Sequence, residues 1–398
     1  MKTEIAEQGI KIDRKRYETF GGIISSSQPP FLAWVDRDFM RDIGYEYSPL
    51  WNNAHDAGYL SAPTEVHASV TNRCAQRCEG CYMSSTQTGA TELTTEAWKR
   101  ILKNLRDMGV FHVALGGGEA FERDDFGELV AYCRHIGLVP NLTTSGQTIG
   151  EREIEICTMM GQVNISIDGI KNRFAANGRN GSFEKADAAI KALKKAGVRV
   201  GINCVVSKKN YPFLEEVVHY AMQNGLNEVE FLKYKPSGRG CSDYGAYALS
   251  QQMIREFYPA LMKLSRKYRI ELKIDCSFIP AMVYHNPPKD MLEKLAVTGC
   301  DAGNILMSVR SNGTFSGCSF VENNEPVAEI TDRWDSSNHL NAFRSLTAKA
   351  VEPCRSCEYL SICKSGCRAV SLHVSGDFFA PDPECPRVYD YKRTMEVV

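Results

Sequence analysis

Cys74, Cys78 and Cys81 stand in the run Thr-Asn-Arg-Cys-Ala-Gln-Arg-Cys-Glu-Gly-Cys-Tyr, a C-x3-C-x2-C spacing. Three thiolates on one loop can hold three corners of a cubane iron–sulfur cluster and leave the fourth iron open. An open iron can bind and reduce a small molecule, which a fully ligated electron carrier does not normally do. The competing reading is a zinc knuckle. Structural zinc prefers four ligands, and no further His or Cys lies within a few residues; His67 is upstream, inside a strand-like stretch.

A second set fills the C-terminal quarter: Cys300, Cys318, Cys354, Cys357, Cys363, Cys367 and Cys385. Its spacing is C-x12-G-x4-C, a gap, then C-x2-C-x5-C-x3-C-x17-C. Ile305–Arg310 and Thr314–Cys318 flank Ser311-Asn312-Gly313, a hairpin signal that brings Cys300 and Cys318 toward one centre. Zinc ribbons use similar pairs and remain the alternative. Cys133, Cys157, Cys204, Cys241 and Cys276 are scattered singly and read as small buried hydrophobes, with Cys276 kept as a minor ligand candidate.

The chain has 398 residues, with 47 Lys plus Arg against 48 Asp plus Glu. Near-neutral charge argues against a nucleic-acid or membrane-surface protein driven by a basic field. No apolar run is long enough to span a bilayer, and Met1 to Phe20 lacks a signal-peptide core. A cytoplasmic location is expected, where thiols stay reduced and clustered cysteines serve cofactors better than disulfides.

Elements must position these thiols. Strand-like segments are Glu65–Thr71, Val110–Leu115, Leu138–Thr143, Val163–Ile167, Arg199–Val206 and Glu228–Lys233, with helix-like segments between them. Thr95–Met108 puts Trp98, Ile101, Leu102 and Leu105 on one face, with Gly109 as a stop. Ser182–Ala196 opens on a capping serine and closes on Gly197. Six βα units in series predict a parallel sheet with right-handed crossovers, a partial (β/α)6 TIM-like barrel whose chemistry gathers at the C-terminal strand ends. The expected organisation is an N-terminal extension over 1–62, the barrel core over 63–240, a bridge over 241–299 and a cysteine-rich region over 300–390. In the extension, Pro29 and Pro30 break the segment; Phe31–Val35 reads as a strand and Arg37–Ile43 as a helix. Ser250–Tyr268 is amphipathic, and Ile270–Ser277 is strand-like.

The second strand runs into Leu115-Gly116-Gly117-Gly118-Glu119. Consecutive glycines let backbone approach a ligand closely. Polar groups end other strands: Asn141, Thr143, Thr144 and Ser145 the third, Ser166 and Asp168 the fourth, with Asn203 in the fifth. Ordinary turn chemistry accounts for such residues equally well one at a time.

Taken together, the cysteine trio after the first strand and Gly-Gly-Glu after the second resemble the radical S-adenosylmethionine (radical SAM) enzymes. The second cysteine set resembles the SPASM extension of that family, so the resemblance covers about 65 to 390. It implies that Cys74, Cys78 and Cys81 hold a [4Fe–4S] cluster whose open iron chelates SAM, and that Gly117, Gly118 and Glu119 meet the SAM amino group. It also implies ribose or carboxylate contacts at Ser166 and Asn203, adenine packing at Leu232, and a cofactor contact at Thr144. Arg179 matches an arginine common in the family. Where members often carry an aromatic residue before the third cysteine, this chain has Gly80, with Tyr82 following as a substitute for the adenine contact. The family's interleaved ligand order would give Cys300, Cys318 and Cys367 to a first auxiliary cluster, and Cys354, Cys357, Cys363 and Cys385 to a second. The fourth site of the first is open, or filled by Cys276, a carboxylate or substrate. Ser319 stands where sulfatase maturases carry aspartate, which disfavours that activity.

The resemblance implies reductive cleavage of SAM to a 5′-deoxyadenosyl radical, fed by a flavodoxin- or ferredoxin-type donor. The expected function is maturation of a ribosomally made peptide by oxidative crosslinking or a related modification. The alternatives are an oxidase or decarboxylase of a small molecule or porphyrin, and a non-enzymatic iron–sulfur or zinc protein.

Overall fold

The computed structural model describes residues 11–52, 58–88 and 92–395. Its centre is a nine-stranded sheet in the order β10-β9-β8-β7-β6-β5-β4-β11-β12. The six expected strands are β4 (Glu65–Thr71), β5 (His112–Gly117), β6 (Val139–Thr144), β7 (Val163–Ser166), β8 (Val200–Val206) and β9 (Glu228–Lys233). They lie side by side in chain order and pair in parallel. Two further pieces extend this sheet. β10 (Glu271–Ile274) adds a parallel strand beside β9, and β11 (Leu306–Val309) pairs in parallel with the other edge, on β4. β12 (Phe315–Ser316) closes the expected hairpin antiparallel to β11.

Alternation along the strands divides the sheet into two faces. Val66, Ala68, Val70, Val113, Leu115, Ile165, Ile202, Val229 and Phe231 are buried against the outer helices. Helix Thr95–Met108 supplies Trp98, Ile101, Leu102 and Leu105 to that layer, capped by the Thr94 hydroxyl and ended by Gly109 at φ 101°. Cys133, Cys157 and Cys204 belong to the same core, as small hydrophobes; Cys241 and Cys276 are only partly buried.

The opposite face is polar. It carries His67, Ser69, Asn141, Thr143, Asn164, Ser166, Asn203, Glu230 and Leu232. The sheet curls around this face: four strands separate β4 from β9, yet the charges of Glu65 and His67 reach Glu230. The result is the expected partial barrel with a solvent-reachable polar chamber.

The N-terminal segment holds more structure than the expected strand and helix. It is an antiparallel sheet of β1 (Arg14–Glu18), β2 (Gly21–Ser27) and β3 (Pro30–Asp36), followed by helix Arg37–Asp42. Pro29 and Pro30 do not break it; they sit at the β2–β3 turn, where Pro30 opens an edge strand and gives up no needed N–H. β1 escaped notice because Arg-Lys-Arg-Tyr-Glu lacks an apolar face. Its arginines do the packing: Arg14 donates to the Val110 and Gly137 carbonyls, and Arg16 to Pro63, all at the N-terminal ends of barrel strands.

Candidate active site

The loop after β4 carries Cys74, Cys78 and Cys81 onto the C-terminal rim. Three neighbouring loops hold its backbone. From β5, Gly118 N–H donates to the Thr71 carbonyl (2.9 Å) and Glu119 N–H to Arg73 (2.8 Å). A Cβ on Gly117 would fall 2.2 Å from Thr71 O, and one on Gly118 1.9 Å from Arg73 O. These two glycines are therefore fixed by the close approach of the cysteine loop, and Gly117 also by φ 122°.

From the segment after β7, Gly178 O accepts from Glu79 N–H (2.9 Å), and the Asn180 side chain donates to the Gln76 and Arg77 carbonyls. Asn180 N–H points at Cys78 Sγ (3.4 Å). Arg179 pairs with buried Asp168 (2.9 Å) and feels the charge of Cys78. Asp168 in turn accepts from Val205 N–H (2.8 Å). From the loop after β9, Arg239 donates to the Cys78 carbonyl (Nε 3.0 Å, Nη2 2.9 Å) and to Ser85 O (2.7 Å). Ser237 Oγ donates to Tyr82 O (3.1 Å). The Pro236–Gly240 run that holds Arg239 resembles a ribose or adenine contact of the family, and Asn180 carries no expected role in the sequence; in the structure both side chains hold the backbone of the cysteine loop. Their signal was the Gly-Arg pair in each loop, which reads as a turn until the partner loop is seen.

Glu119 is buried and receives the Thr144 hydroxyl (2.7 Å), the Ser145 hydroxyl (2.6 Å) and Ser145 N–H (3.0 Å). Burial pushes its pKa up against these bonds. Thr144 is thus committed to orienting Glu119. Asn203 accepts from Asn164 (2.7 Å) and donates to Thr143 (3.1 Å). Ser166 is in register with Asn203, and Leu232 with Val205. Ser166, Asn203 and Leu232 lie on the chamber face. The ring of Tyr82 lies on Phe320 (4.9 Å between centroids), and burial raises its phenol to about 12. Tyr234 stands against Gly80 instead.

The seven later cysteines fall into two electrostatic neighbourhoods. Cys318 feels Cys300 and Cys367, and Cys276 feels Cys300. Cys363 feels Cys385, Cys354 and Cys357. Cys276 thus lies near Cys300, and Cys354, Cys357 and Cys385 lie near Cys363. Burial raises the thiols, Cys300 to about 11 and both Cys318 and Cys385 to about 12. A protonated, buried thiol set surrenders its protons to a metal centre. All fifteen cysteines are unpaired. Among the described residues no group of three or more His, Cys, Asp or Glu could hold a single metal ion. Cysteine thiolates are the ligand type that iron–sulfur clusters take. Ser319, beside Cys318, touches His67 of the chamber (3.2 Å).

This rim matches a known one. Residues 68–221 fit the model of the Radical SAM superfamily. That segment therefore carries a radical SAM domain, a family that implies SAM and a [4Fe–4S] cluster. Among curated relatives, a PqqA peptide cyclase of Methylocella silvestris is 28% identical over 84% of this chain and 90% of its own. That of Ruegeria pomeroyi is 26% identical over 85% and 91%. Among solved structures, Streptococcus suis SuiB bound to precursor peptide SuiA superposes with a TM-score of 0.75 at 18% identity, over 94% of this chain and 99% of SuiB. No described helix is long and apolar enough to cross a membrane.

Proposed function

We propose that this enzyme matures a ribosomally made precursor peptide by oxidative crosslinking or a related modification. The observation that carries the reading is that PqqA peptide cyclases align over core and cysteine-rich region alike. The open edge of β3 supports it, because an extended peptide can add to such an edge by main-chain hydrogen bonds. The first site, with Cys74, Cys78 and Cys81 as ligands, takes a [4Fe–4S] cluster and SAM. Bound there, the pair supplies hydrogen-atom abstraction from unactivated C–H bonds.

The residues of this chain do the positioning. Glu119, held by Thr144 and Ser145, and the backbone of Gly117 and Gly118 face the SAM amino group. Ser166, Asn203 and Leu232 line the nucleoside side, and Tyr82 packs toward the auxiliary loop. Cys300, Cys318 and Cys367 serve one auxiliary [4Fe–4S] cluster; Cys354, Cys357, Cys363 and Cys385 serve another. A flavodoxin- or ferredoxin-type protein supplies electrons.

The test is anaerobic turnover of the reconstituted, reduced enzyme with a short peptide encoded beside its gene. Mass spectrometry should find 5′-deoxyadenosine and a peptide lighter by two hydrogens. The Cys74→Ala/Cys78→Ala/Cys81→Ala variant should lose both products and about four iron atoms per chain, keeping the auxiliary iron. 5′-Deoxyadenosine release by that variant would sink the assignment of the first site. Release with no change in any peptide would move the reading to a small-molecule oxidase.

A further inference from the structure

The chamber contains one carboxylate that nothing in the reaction so far employs. Glu230 lies on the polar face of β9, in register with Asn203 on β8 and Lys273 on β10. Its neighbours are all spoken for. Glu228 receives Lys273 (2.7 Å), Gln162 (2.6 Å) and Arg199 (3.6 Å). Asp275 pairs with Lys235. Glu65 pairs with His67 (3.3 Å). The Asn203 amide is used by Asn164 and Thr143. The Glu230 carboxylate has neither a hydrogen bond nor an ion pair among the described residues.

Its surroundings leave it short of positive charge. Asp275, Glu228 and Glu65 all repel its ionised form; His67 opposes them, and Lys273, which Glu228 already holds, feels its charge. The residue keeps some exposure to the chamber while its carboxyl group is enclosed, and burial first, then these carboxylates, lift its pKa to about 7. An enclosed acid without a partner marks a functional position more often than a structural one. A cation placed beside it would relieve both burdens at once.

We propose that Glu230 heads a subsite for a lysine or arginine side chain of the peptide substrate, its charged end received by the carboxylate inside the barrel. The inference rests on the reading of the enzyme as a peptide maturase and names a chemical class for the residue presented to the chamber. Neutral side chains of the same length leave Glu230 unpaired and are selected against.

Calorimetric titration of the holoenzyme with N-acetyl-lysine N-methylamide tests it, with the neutral N-acetyl-norleucine analogue beside it. The lysine probe should bind about tenfold tighter at pH 8 than at pH 6, because a group of pKa near 7 passes from about one-tenth to about nine-tenths ionised. The norleucine probe should show no such dependence. Glu230→Gln should abolish both the preference for lysine and its pH dependence, while Glu230→Asp keeps a weakened form of each. Histidines change charge in the same interval, so a pH effect that survives in Glu230→Gln belongs to His67 and overturns the proposal. Equal affinity of the two probes overturns it as well. SAM cleavage is read separately: its loss with lysine binding intact would strike the proposed reaction and leave this subsite standing.

Discussion

The ring of Tyr234 stands where a side chain on residue 80 would have to go: a Cβ built on Gly80 falls 2.8 Å from Tyr234 Cε2 and 2.8 Å from its hydroxyl. Tyr234 cannot easily yield, since it stacks on Tyr247 at 4.8 Å and 10°. The aromatic residue absent before the third cysteine is therefore answered in space by one from the loop after β9. Gly80→Ala should destabilise the enzyme by about 1–3 kcal/mol through overpacking. The same change in a Tyr234→Leu background should cost much less. Urea unfolding of the four proteins in a double-mutant cycle gives the coupling; additive costs would mean that the two positions do not compete.

The three glycines at the end of β5 are unequal. A Cβ on Gly116 meets nothing nearer than Thr143 O at 4.0 Å, whereas one on Gly118 would sit 1.9 Å from the Arg73 carbonyl. Gly116→Ala should keep its first-site iron. Gly118→Ala should displace the cysteine loop and lose most of it. Iron content and the EPR signal of the reduced protein distinguish them.

Glu230 should leave a signature on stability. Its folded pKa, about 7, lies above the ordinary 4.5. Below pH 4.5 both folded and unfolded chains hold the proton and the group has no effect. As pH rises toward 7 the unfolded chain ionises first, so folding loses free energy, and above 7 the full penalty of at most about 3 kcal/mol is present. Glu230→Gln removes that penalty. Its melting temperature should exceed that of the wild type at pH 8 and match it near pH 4; a lower value at pH 8 would mean that the carboxylate is favourably held.

Asn180 links the segment after β7 to Cys78 through an N–H···S contact of 3.4 Å and two side-chain bonds to the cysteine loop. Hydrogen bonds to cluster sulfurs favour the reduced, more negative state. Asn180→Ala frees the segment and should shift the first cluster's midpoint potential to a more negative value without loss of iron. An unchanged potential would make the segment purely structural.

What could be read in advance followed from regular patterns. β4 and β9 were delimited to the residue because each apolar run ends abruptly at polar or turn residues. The assignment of the seven late cysteines to a three and a four came from the family resemblance, since spacing does not say which thiols share a centre. β1 and β2 were not legible, because β1 packs through arginine and β2 is largely glycine and serine, neither of which alternates in hydropathy. The clamps on the cysteine loop were illegible for another reason. Arg239 and Asn180 act on backbone carbonyls more than 100 positions away in the chain, and a bond to a carbonyl leaves no mark in the identity of its acceptor.

β11, drawn from the cysteine-rich region, is hydrogen-bonded along the edge of β4, the strand that launches the first cysteine loop. A chain cut after residue 299 would not yield a simpler enzyme stripped of an accessory. It would uncover the main-chain groups of β4 and invite other chains to pair there. Core and auxiliary region should melt in one cooperative step, and a protease should find no soluble half to release.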